Sequence, residues 1–341
     1  MSEPGLRHQA RSQLARGLQL LDDPWGVTWR SWNLLRRISL RRCWRFTLGF
    51  VTGVTHQRPL FIIGASRSGT TLFFRLLKQH SQLGALPREG HDLWRTFHHP
   101  RSRGWSSDRV GAGELRRGEK RYVDAYLYSF FSHRRFVEKT PENAFRVPYL
   151  LELFPDARFL VVKRNPCDVI NSLIQGWRDP SGRFRSYFVP EDLSIPGYPR
   201  RRQWCFALIE GWRQFKSAPI PEIAYAQWLQ YVTALSEARP RVPKERWMEI
   251  PLEAILSRPR EVLEELCTRF ELEAEPALSH RLDELVREPV NALSPPGQHK
   301  WRVDNSREIR ALLPRICEAA VQTGYRIDPA SGDFEILSTG V

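Results

Sequence analysis

From Arg58 onward, short apolar runs alternate with segments of helical periodicity, the pattern of βαβ units wound around a parallel sheet. LFII (Leu60 to Ile63) predicts a buried strand, and a turn containing Gly64 and Gly69 leads from it into a helix from about Thr70 to His80. FVEK (Phe136 to Lys139) predicts a second strand. FLVVKR (Phe159 to Arg164) predicts a third, apolar without interruption up to Val162, as expected of a strand covered on both faces. After Pro166, the residues Val169, Ile170, Leu173, Ile174 and Trp177 recur at helical spacing and predict one stripe packed on the sheet. WMEI (Trp247 to Ile250) predicts a further strand, Arg260 to Phe270 a helix, and Ser306 to Thr323 a last helix with Ile309, Leu312, Leu313, Ile316 and Ala320 on one side. Residues 178–200, rich in Pro, Gly, Ser and Arg, predict a long functional loop or lid, with Trp204, Trp212 and Trp228 following in helices.

Ahead of this pattern, residues 1–57 form a basic arm in which Trp25, Trp29, Trp32 and Trp44 stand among Arg30, Arg36, Arg37, Arg41, Arg42 and Arg45. Such a stretch either packs on the domain as an amphipathic helix or lies on an anionic membrane surface, where Arg on one face and Trp on the other suit the headgroup boundary. The expected division is therefore an arm at 1–57, one domain at 58–330 and a tail at 331–341. No internal repeat or low-complexity tract interrupts it.

Charge narrows the ligands more than the fold. Fifty-two Lys and Arg against 38 Asp and Glu give a formal charge of +14, which favours anionic partners. The five cysteines are scattered without a CxxC pair, so neither a zinc cluster nor a disulfide framework is indicated. The N-terminus lacks a charged-then-apolar pattern, and no run of about 18 apolar residues occurs, so a cytoplasmic protein, peripheral at most to the inner membrane face, is expected. A specific nucleic-acid binder is not expected, because no helix-turn-helix, zinc or RRM signature accompanies the basic residues.

The candidate chemistry begins in FIIGASRSGTTLFFRLL, a strand, a glycine turn and a helix starting at Thr70 and Thr71. A turn of this kind aims several backbone N–H groups at one point, and the helix N-terminus adds about half a positive charge there. Arg67 contributes a full charge and a planar fork of donors. Gly64 and Gly69 have the spacing of the nucleoside-triphosphate loop, but Thr70 stands where that loop has its lysine. The strand expected beside it ends in Lys163-Arg164, where a Mg²⁺-binding Asp would be needed.

RSGTTL after an apolar strand resembles the 5′-phosphosulfate loop of sulfotransferases that use 3′-phosphoadenosine-5′-phosphosulfate (PAPS). KRNPCDVINSL adds a second likeness, since Arg164 at a strand end is followed eight positions later by Ser172, as in the family's 3′-phosphate element. The resemblance is strongest from about Pro59 to Trp177 and includes EKTPENAFRVPYLLELFPDARFLVVKR, similar to the bacterial and carbohydrate-modifying branches. It implies an α/β, P-loop-like three-layer fold with a central parallel sheet flanked by helices. Arg67, Ser68, Gly69, Thr70, Thr71, Arg164 and Ser172 would hold PAPS or its product PAP, as would Lys300, Trp301 and Arg302 of the late HKWR loop.

Transfer of a sulfuryl group to an acceptor hydroxyl needs a base, cations on the sulfonate and leaving phosphate, and alignment, but no metal. REGHDLW resembles the glycan-modifying branch, in which a glutamate two positions before a histidine is the base. That implies Glu89 as base, with His91 as the alternative, and a carbohydrate or glycolipid acceptor. By the same resemblance Lys139, at the carboxyl end of its strand, would bridge sulfonate and acceptor. A kinase-like, NTP-dependent phosphotransferase is the competing expectation, because it shares the anion-binding turn.

Overall fold

The computed structural model describes residues 40–287 and 298–337. In chain order its helices are α1 (Leu40–Thr52), α2 (Thr70–Leu77), α3 (His91–His98), α4 (Glu119–Phe130), α5 (Val147–Leu153), α6 (Pro166–Arg178), α7 (Ile220–Ala238), α8 (Leu252–Ser257), α9 (Pro259–Phe270), α10 (Pro276–Arg287), α11 (Trp301–Asp304) and α12 (Ser306–Ala320). The strands are β1 (Leu60–Ile63), β2 (Gly84–Ala85), β3 (Phe136–Glu138), β4 (Arg158–Lys163), β5 (Arg185–Phe188), β6 (Gln203–Cys205), β7 (Trp247–Pro251), β8 (Tyr325–Ile327) and β9 (Phe334–Ile336).

Five strands make one sheet in the order β2-β3-β1-β4-β7, and every pairing in it is parallel. In β1, Phe61 and Ile63 face one apolar cluster while Leu60 and Ile62 face the other. Strand β4 repeats the division, with Phe159 and Val161 on the first side and Leu160 and Val162 on the second. Two-residue alternation between two covered faces is why the strands read as unbroken apolar runs. Helices α6, α7 and α12 contribute to the first cluster, and α2, α9 and α10 to the second, giving three layers.

The predicted strands coincide with β1, β3, β4 and β7, and the helix after Gly69 ends at Leu77, slightly short of His80. The segment read as one long loop differs: its residues 185–188 pair antiparallel with 203–205 as a hairpin. Trp204 therefore lies in a strand, Trp212 in a short 3₁₀ turn, and only Trp228 in a helix. All three are buried, together with Trp177. Their indole N–H groups are used internally: Trp177 donates to Gln227 at 2.9 Å, Trp204 to the Ala207 carbonyl at 2.9 Å, and Trp212 to the Trp105 carbonyl at 2.7 Å. The Trp177, Trp204 and Trp212 rings are core with satisfied polar tips, and Trp228 is buried among them.

Of the basic arm, Trp25, Trp29, Trp32, Arg30, Arg36 and Arg37 lie outside the described residues. Helix α1 packs on α4: Gly49 faces Tyr128, whose Cδ1 would be 2.8 Å from an added Cβ, and Arg45 donates to the Tyr128 carbonyl at 2.9 Å. Its outer side leaves Leu40, Trp44 and Val51 exposed. At the other end, residues 334–336 form β9 against β8. Among the described residues no helix is long and apolar enough to cross a membrane.

Candidate functional site

The turn between β1 and α2 lies at the carboxyl edge of the sheet, where parallel strands collect ligands. Its glycines are required by geometry. A Cβ on Gly64 would stand 2.4 Å from the Val162 carbonyl oxygen of the neighbouring strand. Gly69 has φ +100°, and a Cβ there would meet Leu252 at 2.7 Å. Between them Arg67 adopts φ +76°, an unusual value for a non-glycine residue and one that aims its side chain across the turn.

That side chain reaches the second motif. Arg67 Nε donates to Ser172 Oγ at 3.0 Å, and Arg164 Nη1 donates to the Arg67 carbonyl at 3.3 Å. Residues of β1–α2 and β4–α6 are thus gathered around one space at the start of α2. Burial, then the charges of Arg164 and Arg183, pull the Arg67 guanidinium down from 12.5 to about 10. The Ser68 hydroxyl, fully enclosed in the turn, meets no hydrogen-bond partner among the described residues.

A chain of charges connects this space to the second candidate cluster. Lys139, immediately after β3 and almost fully buried, donates from Nζ to Thr71 Oγ1 at 3.0 Å and forms an ion pair with Glu89. Glu89 Oε2 lies 2.7 Å from His91 Nε2, and on the far side of the ring His91 Nδ1 lies 3.3 Å from Glu142 Oε2. Glu142 is buried and is paired with Arg95 at 3.2 Å. Burial alone would raise the Glu89 pKa, but the His91 hydrogen bond and the Lys139 charge outweigh it and hold Glu89 at about 2. For His91, burial favours the neutral ring, yet Glu142 and Glu89 prevail and its pKa is raised. Glu89 is therefore ionised at neutral pH, held between the Lys139 ammonium and a His91 ring whose protonated form its neighbours favour.

The loop carrying Glu89 is itself held from below. Gly90 N donates to Glu138 at 3.1 Å and to Thr140 at 3.0 Å, and an added Cβ at Gly90 would come within 2.9 Å of Glu138. Burial raises the Glu138 pKa, and its carboxyl also receives hydrogen bonds from Thr140 and Asn143.

The HKWR loop is tied to the start of α6. His299 N donates to Asp168 Oδ2 at 3.0 Å, and Trp301 is fully buried with its backbone N 3.5 Å from the same carboxylate. Arg302 lies over the Trp301 ring and pairs with Asp333 at 2.6 Å, so its guanidinium is engaged with the β8–β9 side of the loop.

The sequence reading missed Glu142, Arg95 and Arg183. A signal existed for Arg95, one helical turn after His91, and for Glu142, three positions after Lys139. Arg183 carried none, since only the hairpin brings it to the phosphate turn.

A parallel α/β sheet with a glycine turn, a helix start and converging arginines at its carboxyl edge defines an anion-binding, P-loop-like protein. Residues 59–227 of the 341, just under half of the chain, match the model of the "Sulfotransferase family", and that segment belongs to the sulfotransferase family. Nodulation protein NoeE of Sinorhizobium fredii is 29% identical over 133 residues, covering 35% of this chain and 32% of that protein. An uncharacterized protein of Aquifex aeolicus is also 29% identical over 133 residues, covering 36% of this chain and 18% of its own length. The match thus spans about a third or less of these relatives. Among solved structures, sulfotransferase STF9 from Mycobacterium avium has a TM-score of 0.49 at 17% identity, covering 79% of this chain and 77% of that one. Mouse sulfotransferase SULT7A1, in complex with PAP, has a TM-score of 0.38 at 13% identity, covering 67% of this chain and 64% of that one.

Proposed function

We propose that the protein transfers a sulfuryl group from PAPS to an acceptor hydroxyl and releases PAP. The observation that carries this reading is the meeting of Arg67, Arg164 and Ser172 at one helix start, linked through Lys139 to Glu89 and His91. In the reaction the acceptor oxygen forms a bond to sulfur, the bond from sulfur to the 5′-phosphate oxygen breaks, and Glu89 takes the hydroxyl proton. The amides of the turn and Arg67 hold the 5′ end of the nucleotide, with Ser68, Thr70 and Thr71 as hydroxyl donors. Arg164 and Ser172 hold the 3′-phosphate, and the HKWR loop, fastened through Asp168, supplies Lys300 along that side, with Trp301 buried behind it and Arg302 joining only on leaving Asp333.

Lys139 is suited to the transferring sulfonate because it already touches both halves of the site. Once its ammonium turns to the sulfonate, burial acts on a Glu89 freed of one cation and raises its basicity. His91, whose protonated form Glu89 and Glu142 favour, orients the base. A carbohydrate or glycolipid hydroxyl is the acceptor class, supported by the likeness of Glu89–His91 to glycan-modifying relatives. The exposed Leu40, Trp44 and Val51 beside Arg41 support peripheral contact with an anionic, cytoplasmic membrane face.

Calorimetry with PAP and with ATP plus Mg²⁺ separates this reading from an NTP-dependent phosphotransferase: PAP binds and ATP does not. Glu89→Gln keeps PAP affinity and loses at least ~100-fold in transfer of labelled sulfuryl groups from PAPS to glycan or glycolipid extracts, the range of a lost general base. Near-normal transfer by Glu89→Gln would remove it from the role of base, and binding of ATP in place of PAP would end the sulfuryl-transfer reading.

A further inference from the structure

The β5–β6 hairpin belongs to neither phosphate motif, yet its leading residues sit on the phosphate turn. The Phe184 ring carries the Arg67 guanidinium at 4.8 Å from its centroid and the Arg183 guanidinium at 5.0 Å. Phe184 is seated firmly. It stacks on Phe206 at 5.2 Å, and the two rings fill a notch at Gly176 of α6, where an added Cβ would lie 2.3 Å from Phe206 and 3.2 Å from Phe184.

The hairpin is anchored a few residues further along as well. The Tyr187 hydroxyl donates to the buried Asp108, which also accepts from Arg146 at 2.9 Å and from Leu208 N at 2.7 Å. Arg95, the partner of Glu142, lies over the Tyr187 ring at 4.3 Å. Arg183 is therefore delivered by a segment anchored directly after it at Phe184 and Tyr187, and its own side chain remains exposed.

Three guanidinium groups, Arg67, Arg164 and Arg183, consequently share one neighbourhood, and the latter two depress the proton affinity of the first. Among the described residues, Arg164 and Arg183 form no ion pair with a carboxylate. Gathering like charges in this way is unfavourable until an anion of matching charge arrives. Arg67 and Arg164 answer to the two ends assigned by the motifs, which leaves one cation over.

We propose that Arg183 is a third cationic ligand of the bisphosphorylated nucleotide, so that the hairpin forms a wall of the nucleotide site. This rests on the nucleotide reading above, and the test keeps the two apart. PAP is titrated calorimetrically into the full chain and into Arg164→Ala, Arg183→Ala and Arg183→Lys variants, at low and at raised ionic strength. The expected result is at least a tenfold loss of affinity for Arg183→Ala, a smaller loss for Arg183→Lys, and a shallower salt dependence when the charge is gone. Unliganded Arg183→Ala melts with the wild type, because the removed group is exposed. Arg183→Ala binding within twofold of wild type, while Arg164→Ala loses binding, overturns the role of Arg183 and leaves the nucleotide reading intact. A wild-type chain that does not bind PAP overturns both.

Discussion

Replacing Glu142 with Gln removes one negative charge from a buried cluster, taking the carboxylate from Arg95 and from one side of His91 while Glu89 still faces His91 and Asp108 still pairs with Arg146. Removing one member of a buried, hydrogen-bonded ion pair costs about 3–5 kcal/mol. An amide oxygen can still accept from Arg95, so the loss should sit near the lower bound, about 3 kcal/mol. Part of the effect depends on pH. The groups facing His91 are Glu89, Glu142, Glu138 and Arg95, and the balance among them raises its folded pKa above 6.5. Stability from protonating His91 is therefore fully present below the unfolded value and is lost as pH rises through the folded one. Glu142 has a lowered folded pKa, so its own contribution is constant from neutrality upward and fades only in acid. The gap in urea midpoint between wild type and Glu142→Gln should thus be wider at pH 6 than at pH 9. NMR should show the His91 imidazole losing its proton at lower pH in the variant. An equal gap at both pH values, or an unmoved His91 titration, would refute the coupling of Glu142 to His91.

Two further outcomes are expected. Gly69→Ala forces a Cβ into Leu252 at φ +100° and should cost ~1–3 kcal/mol in urea denaturation while weakening PAP binding; unchanged stability would show that the turn relaxes freely. If α1 meets lipid through its exposed side, the full chain should sediment with phosphatidylserine vesicles, and Trp44→Glu should reduce the bound fraction several-fold. Equal sedimentation of the two chains would remove Trp44 from any such contact.

How much of this was legible in the sequence follows from what each feature depends on. β1 and β4 could be read because both faces of each strand are covered, so nearly every position must be apolar. The β5–β6 hairpin could not, since its strands span 4 and 3 residues, mix Arg, Ser and Gln with aromatics, and are held by Tyr187 reaching the distant Asp108. The phosphate turn was legible because glycine spacing, a helix start and Arg67 are local. Glu89 and His91 were identifiable only by resemblance, because nothing within REGHDLW indicates that Lys139 and Glu142 close around them. Tryptophans were ambiguous for a related reason: composition cannot say whether an indole meets solvent or the Gln227 amide.

The position of β7 has a practical consequence for anyone trimming this chain. It pairs along all of its length with β4, with Phe159 opposite Trp247 and Lys163 opposite Pro251, yet it lies beyond the segment matched to the family. A fragment stopped at residue 227 would strip β4 of that neighbour, baring a row of backbone amides and carbonyls next to the arginine that follows the strand. Such an open rim invites self-association, so an autonomous fragment has to extend past Pro251, and past Trp301 if the Asp168 fastening is to survive.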